Sequence, residues 1–207
     1  MGDMNFNSLE GLEFFEDKHY YKYNNKYIPS VSSITKPISL SIYKDIDDDT
    51  LKIAAERGTA VHMAIEIANE AGVDIIEPEH EGYLDAYKAF RFEHKNLILK
   101  ASEIRTADLS LWYAGTADEV YQDRDTGEYI LADIKTSVNI EKAAVIPQLT
   151  AYKEALIRTQ KIPIKKTYVL HLKFDGTYKW LEISTDLSVL LVCIKLRNHI
   201  EKYKNNY

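Results

Sequence analysis

The chain has 207 residues, 45% apolar and 28% charged, which is the balance of a globular protein long enough to bury a sizeable core. Its 26 basic and 32 acidic residues leave a net charge of −6, which argues against a passive nucleic-acid coat but not against an enzyme that acts on nucleic acid. A single cysteine, Cys193, excludes an intramolecular disulfide, a four-cysteine zinc site and a cysteine-ligated iron–sulfur cluster within one chain.

No apolar run reaches the roughly 18 residues of a membrane span, and MGDMNFNSLEG shows no basic-then-apolar signal, so a reducing cytoplasm is the expected compartment. Without repeats, low-complexity tracts or linkers, one domain over residues 1–207 is expected. Within it, residues 1–50 read as an N-terminal extension, 51–160 as the motif-bearing core, and 161–207 as a closing hairpin and helix.

From Phe14 to Ser33 the chain is rich in tyrosine (Tyr20, Tyr21, Tyr23, Tyr27) and holds the hairpin-like Tyr23-Asn24-Asn25-Lys26-Tyr27. Ile28-Pro29-Ser30-Val31-Ser32-Ser33-Ile34 reads as a short extended piece leading into a helix. Asp47, Asp48 and Asp49 supply caps for a helix to about Ala71, stopped by Gly72. A second helix is expected over Glu79–Lys95, where Tyr83, Tyr87 and Phe90 keep helical spacing.

Strands are expected over Leu99–Arg105, Leu109–Gln122 and Glu128–Thr136, then a helix from Ile140 to Thr159 with Ala143, Ala144, Leu149, Ala155 and Leu156 as apolar members. Thr167–Lys173 and Tyr178–Ile183 alternate around Asp175-Gly176 as a second hairpin. The last helix starts from a Ser184/Thr185 cap and carries Leu187, Leu190, Leu191, Ile194 and Leu196. The order ααβββαββα implies an α/β domain with a mixed central sheet flanked by helices.

The stretch that carries chemistry runs from Gly115 to Lys135. Two alternating runs flank a polar centre, and a turn at Asp125 and Thr126 sets Asp118 opposite Ala132 and Asp133. Asp133 and Lys135 share one face of their strand, so the hairpin gathers two carboxylates and an amine, with cross-strand neighbours about 5 Å apart. Adjacent carboxylates repel unless a cation lies between them, and hard oxygen ligands suit Mg²⁺ or Mn²⁺. Metal-assisted hydrolysis is the chemistry this patch suggests.

Other candidates are weaker alone. His62 on the first long helix and Glu66 one turn on share a face, as do Gln148 and Tyr152 on the helix after the Asp-x-Lys strand. Alone, the first pair reads better as an exposed surface pair and the second as a polar stripe at the helix–sheet boundary. The basic residues Lys135, Lys142, Lys153, Arg158, Lys161, Lys165 and Lys166 read as solvated surface more than as a phosphate-tracking face.

Taken in order, Gly58-Thr59-x-x-His62, Gly115-Thr116-Ala117-Asp118, Asp133-Ile134-Lys135-Thr136 and Gln148-x-x-x-Tyr152 resemble the PD-(D/E)XK nuclease superfamily, in the exonuclease branch related to the RecB nuclease domain. The Ile28-Pro29-Ser30-Val31 lead-in is similar to phage-type members.

The resemblance covers roughly 27–156 and implies a restriction-endonuclease-like core. It further implies His62, Asp118, Asp133 and the Ile134 carbonyl as metal ligands and Lys135 as the catalytic lysine beside Asp118 and Asp133. Gln148 and Tyr152 would contact DNA or orient the lysine, with Glu66 and Glu103 as secondary candidates. Asp stands at the first position of Asp-x-Lys, where Glu also occurs, and shortens the ligand arm.

The implied activity is a Mg²⁺- or Mn²⁺-dependent DNA exonuclease in phage-type recombination or repair. DNA, with linear ends first, is the expected partner, and a recombination or single-strand-annealing protein and an oligomer are further possibilities. A nuclease-inactive DNA-binding or scaffold protein is expected to have lost an acid or the lysine, and all are present. CRISPR-adaptation nucleases carry a four-cysteine cluster that one cysteine cannot supply. A site-specific endonuclease on the same fold stays open. No G-x-x-x-x-G-K-S/T loop for ATP and no G-x-S-x-G elbow occurs.

Overall fold

A computed structural model describes residues 6–15 and 20–204. Residues 1–5, within the stretch read for a targeting signal, and 16–19, within the tyrosine-rich segment, lie outside the described residues.

Near the N-terminus β1 (Leu12–Phe15), β2 (Tyr20–Tyr23) and β3 (Lys26–Ile28) form a three-stranded antiparallel sheet. The Tyr23–Tyr27 hairpin is present, with Asn24 and Asn25 both in the left-handed region that a tight hairpin turn requires. Pro29 and Ser30 then run beside the start of the fifth strand, where the Ala114 N–H donates to the Pro29 carbonyl at 2.8 Å.

Helix α1 (Val31–Ile42) follows directly, capped by Ser30, whose hydroxyl accepts from the Ser33 N–H at 3.0 Å. This helix is one more than the expected order ααβββαββα holds, and its interior Pro37 reads in a sequence as a helix breaker. Helix α2 (Asp48–Ala71) begins at the expected Asp47 cap and ends at Gly72, whose φ of 68° is the left-handed helix stop. The second expected helix starts as a 3₁₀ turn over Pro78–His80 and becomes α3 over Glu81–Glu93.

The main sheet has the order β4 (Leu97–Asp108), β5 (Tyr113–Asp123), β6 (Tyr129–Lys135), β7 (Ile164–Leu172), β8 (Tyr178–Glu182). All neighbours are antiparallel except β6 and β7, which are parallel and joined through α4 (Lys142–Arg158). The mixed sheet flanked by helices is therefore the architecture expected.

Several strand ends shift by one to four residues, most of all the start of β5. Leu109–Leu111 is a turn rather than the start of β5, because the buried Asp108 carboxylate accepts from the Ser110 and Leu111 N–H groups, each at 2.9 Å. The last helix, α5 (Leu187–Lys204), takes its cap from Asp186, which accepts from the Ser188 N–H at 2.9 Å, and not from Ser184 or Thr185.

Each sheet face is covered. Val31 and Ile34 of α1, Leu149 and Leu156 of α4 and Leu190 of α5 pack on Ile104, Val120, Leu131 and Val169. On the other face Val61 and Ile65 of α2 and Leu84 and Phe90 of α3 pack on Tyr121, Ile130, Ala132 and Leu170. Ala143 and Leu196, expected among the apolar contacts, are exposed, because α4 and α5 turn other residues inward. Among the described residues, no helix is long and apolar enough to cross a membrane.

Candidate metal centre

The β5–β6 hairpin has the register that turn chemistry dictates. Glu119 pairs with Ala132 and Gln122 with Tyr129, and Gly127 closes the turn at a φ of 74°. One step beyond Glu119 and Ala132, Asp118 comes opposite Asp133. The carboxylate of Asp118 accepts the Ile134 N–H at 2.6 Å, tying the two strands where the regular ladder ends. Leu131 packs toward α4, and by the two-residue period Asp133 and Lys135 share that side.

Lys135 Nζ lies 2.8 Å from Asp133 Oδ2. That contact is an ion pair without hydrogen-bond alignment, and both Asp133 oxygens are buried with no hydrogen bond to satisfy them. A buried carboxylate without hydrogen bonds is costly unless a cation meets it, and here the Lys135 ammonium meets Oδ2.

His62 reaches the same point from α2. Its Nδ1 lies 3.2 Å from Glu103 Oε1 and 3.8 Å from Asp118 Oδ1, and its Nε2 lies 3.2 Å from the Ile134 carbonyl. Glu103 adopts a φ of 48° inside β4, a left-handed conformation that is strained for a side chain with a Cβ. Its flanking residues pair with β5 on both sides, Ser102 with Glu119 and Ile104 with Ala117, while Glu103 itself is left out of the ladder. That local irregularity accompanies the meeting of its carboxylate with His62. Ligand atoms of His62, Glu103 and Asp118 all lie within 4.8 Å of one another.

A second chain of contacts leads away through α4. Lys135 Nζ donates to Gln148 Oε1 at 3.1 Å, and Gln148 Nε2 to the Tyr152 hydroxyl at 3.5 Å. Gly115 explains the glycine of the Gly-Thr-Ala-Asp motif. A Cβ there would stand 2.6 Å from Tyr152 Cε1 and 3.0 Å from Val31 Cγ2. The glycine lets α4 and α1 close onto β5.

Glu66 lies outside the His62–Glu103–Asp118 group, in the wall of the adjoining groove of about 860 Å³. Burial, then the charges of Glu103 and Glu70, push its carboxyl up. The same groove is bordered by Tyr21, Ser30, Ser32, Arg105 and Thr116, with Tyr21 and Thr116 joined hydroxyl to hydroxyl at 2.9 Å. Sequence reasoning singled out neither Arg105 nor Thr116 as a groove residue. Only the folding of β1–β3 over β4 and β5 marks them, and no spacing along the chain carries that signal.

The electrostatics are those of a crowded anionic site. Burial pulls the His62 imidazole down, but Asp118 and then Glu103 outweigh it and push it up to about 9. Burial raises the Asp118 carboxyl, His62 opposes, and Asp133 and Glu103 reinforce, leaving it at about 7. Burial lowers the Lys135 amine, yet Asp133 and then Asp118 carry it above its ordinary value. A protonated imidazole and the Lys135 ammonium thus supply the positive charge among these acids.

Divalent cations suit the clustered donors, which are the Glu103 and Asp118 carboxylates and the His62 imidazole with the Ile134 carbonyl beside it, whereas Asp133 stands outside that cluster, against Lys135.

No family model matches the chain, and no curated protein is similar to it in sequence. Among solved structures it is similar in fold to SSO0001, at 12% identity and a TM-score of 0.48, over 86% of this chain and 77% of that one. It is also similar to an alkaline exonuclease from Laribacter hongkongensis, at 12% identity and a TM-score of 0.44, over 84% and 86% of the two chains. A protein from Eubacterium rectale described provisionally as an exonuclease matches at 8% identity and a TM-score of 0.45, over 72% of this chain and 65% of its own. Such similarities concern the course of the backbone, and the chemistry rests on the residues above.

Proposed function

We propose that this chain is a metal-dependent deoxyribonuclease that hydrolyses phosphodiester bonds from the ends of linear DNA, working as one nuclease unit in recombination or repair. One observation carries the reading. Groups from separate stretches of chain (His62 of α2, Glu103 of β4, Asp118 of β5, Asp133, Ile134 and Lys135 of β6, and Gln148 of α4) meet at one end of the hairpin.

His62, Glu103, Asp118, Asp133 and the Ile134 carbonyl are the residues that would hold Mg²⁺ or Mn²⁺. Bound there, the cation supplies Lewis acidity and neutralises charge on the phosphodiester. The protein's own groups do the rest. Lys135 is held cationic by Asp133, so it donates to the attacking water or a phosphate oxygen and stabilises developing negative charge, rather than taking a proton.

Gln148 holds the lysine amine from the far side, and Tyr152, buried against Gly115, fixes Gln148. Asp118 is positioned by the Ile134 N–H, so its free oxygen is the one turned to His62.

The test incubates linear, nicked and closed-circular DNA with Mg²⁺ or Mn²⁺, with Lys135→Ala as control. Loss of linear DNA alone, abolished in the variant, is the expected result. Cutting of the closed circle would make the enzyme an endonuclease, and unchanged cleavage by Lys135→Ala would remove the assignment altogether.

A further inference from the structure

Beyond Lys135 the chain leaves the sheet through Thr136, Ser137 and Val138, and these residues line a second cavity of about 340 Å³. The other walls are Tyr83 of α3, His171 at the end of β7, and Lys173, Phe174 and Asp175 of the β7–β8 turn. Its size falls at the lower end of the roughly 300–1,000 Å³ of pockets that take small ligands. Val138 is 86% and Phe174 67% exposed, so two large apolar side chains stand in solvent on its rim with nothing covering them.

The cavity is built rather than incidental. His171 Nε2 donates to the Ser137 carbonyl at 2.6 Å, pinning the loop to β7. Gly82 presses α3 against the turn so closely that a Cβ would fall 1.8 Å from the Phe174 carbonyl. The Tyr83 ring meets Phe174 edge-on at 6.3 Å, and the Arg57 guanidinium lies over the Tyr83 ring at 5.8 Å from its centroid. Asp175 is committed to the turn, its carboxylate accepting from the Thr177 hydroxyl at 2.6 Å and N–H at 3.1 Å. Lys173 leaves a cation on the rim.

Aromatic faces, an apolar rim and nearby cations suit one kind of occupant: a flat, apolar-faced group attached to an anionic chain. His171 pairs in register with Lys135, and Val138 is three residues further on, a span of at most about 10 Å of extended chain. Nucleotides rise about 3.4 Å each along a strand. A strand whose phosphate lies at Lys135 therefore has a base one to three nucleotides away within reach of this cavity. We propose that the cavity between Val138, Tyr83 and Phe174 is a nucleobase subsite that seats one unstacked base of the substrate strand. This rests on the nuclease reading given above.

The experiment uses the full chain and two readouts. Linear oligonucleotides carrying 2-aminopurine, or an abasic residue, at successive positions from one end are bound in Ca²⁺ and, separately, cleaved in Mg²⁺. Expected are fluorescence quenching at one position and about tenfold weaker binding when that same position is abasic, a loss of about 1.4 kcal/mol, within the range of one base stack. Phe174→Ala and Val138→Ser, both exposed positions, abolish the positional effect while thermal melting stays unchanged.

Equal binding at every position, or a positional effect unaltered in both variants, overturns the subsite. Positional quenching lost in the variants, but with no cleavage by the wild-type chain, upholds the subsite and overturns the nuclease reading instead.

Discussion

Gly115→Ala is a small substitution with a calculable effect. The added methyl would lie 2.6 Å from Tyr152 Cε1 and 3.0 Å from Val31 Cγ2, where carbon atoms prefer about 3.5–4.0 Å. Tyr152 is 8% exposed and Val31 1%, so neither can swing into solvent. Relief requires about 1 Å of movement of the ring, and overpacking of this kind costs about 1–3 kcal/mol.

For a chain of this size that lowers Tm by about 2–4 °C per kcal/mol, so a fall of roughly 2–12 °C is expected. The displaced ring carries Gln148 with it, and through Gln148 the Lys135 amine, and a shift of that size at a reacting group costs up to about 10²-fold in rate. Differential scanning calorimetry and single-turnover cleavage measure the two effects. The decisive comparison is a double-mutant cycle with Tyr152→Ala, in which the added methyl meets an emptied site and its stability cost shrinks. A full cost in both backgrounds, or no cost in either, would refute the packing argument.

Other expectations follow from the same geometry. Gly82→Ala pushes a methyl into the Phe174 backbone, so it is expected to destabilise the fold by at least as much as Gly115→Ala, whereas Gly58→Ala, whose Cβ would meet Thr136 Oγ1 at 3.9 Å, is expected to melt near the wild type.

In chelator, stability is expected to fall as pH rises. His62 goes from 6.5 to about 9 on folding, so its contribution is full below about 6.5 and lost through about 9; Asp118 goes from 3.8 to about 7, so its contribution is lost over the range up to about 7. Melting curves between pH 5 and 9 check this, and Asp118→Asn is expected to flatten the slope; an unaltered slope in that variant counts against it. Mn²⁺ at about 100 times its Kd is expected to add about 2.7 kcal/mol. Glu103→Gln is expected to weaken that metal-dependent rise in Tm, and an equal rise in the variant would remove Glu103 from the ligand set.

What the sequence determined by itself is local. The hairpin turn, the placing of Asp118 opposite Ala132 and Asp133, the shared face of Asp133 and Lys135, and the Asp47 and Gly72 ends of α2 all follow from turn chemistry and from periods of two and 3.6 residues, while the observed register selects Asp133 as the partner. The mixed sheet followed from the order of those elements.

Tertiary packing decided the rest. Glu103 stands in the ligand group beside His62 because β4 bends into a left-handed residue there, which no periodic pattern records. Asp133 is drawn to Lys135, and only the folded burial of both shows that the amine is held cationic. Helix α1 and the N-terminal sheet wall the groove through contacts with β4 and β5 some eighty or more residues away in the chain. Neighbours along the chain are written in spacing, whereas neighbours across the fold are set by which buried faces close on each other.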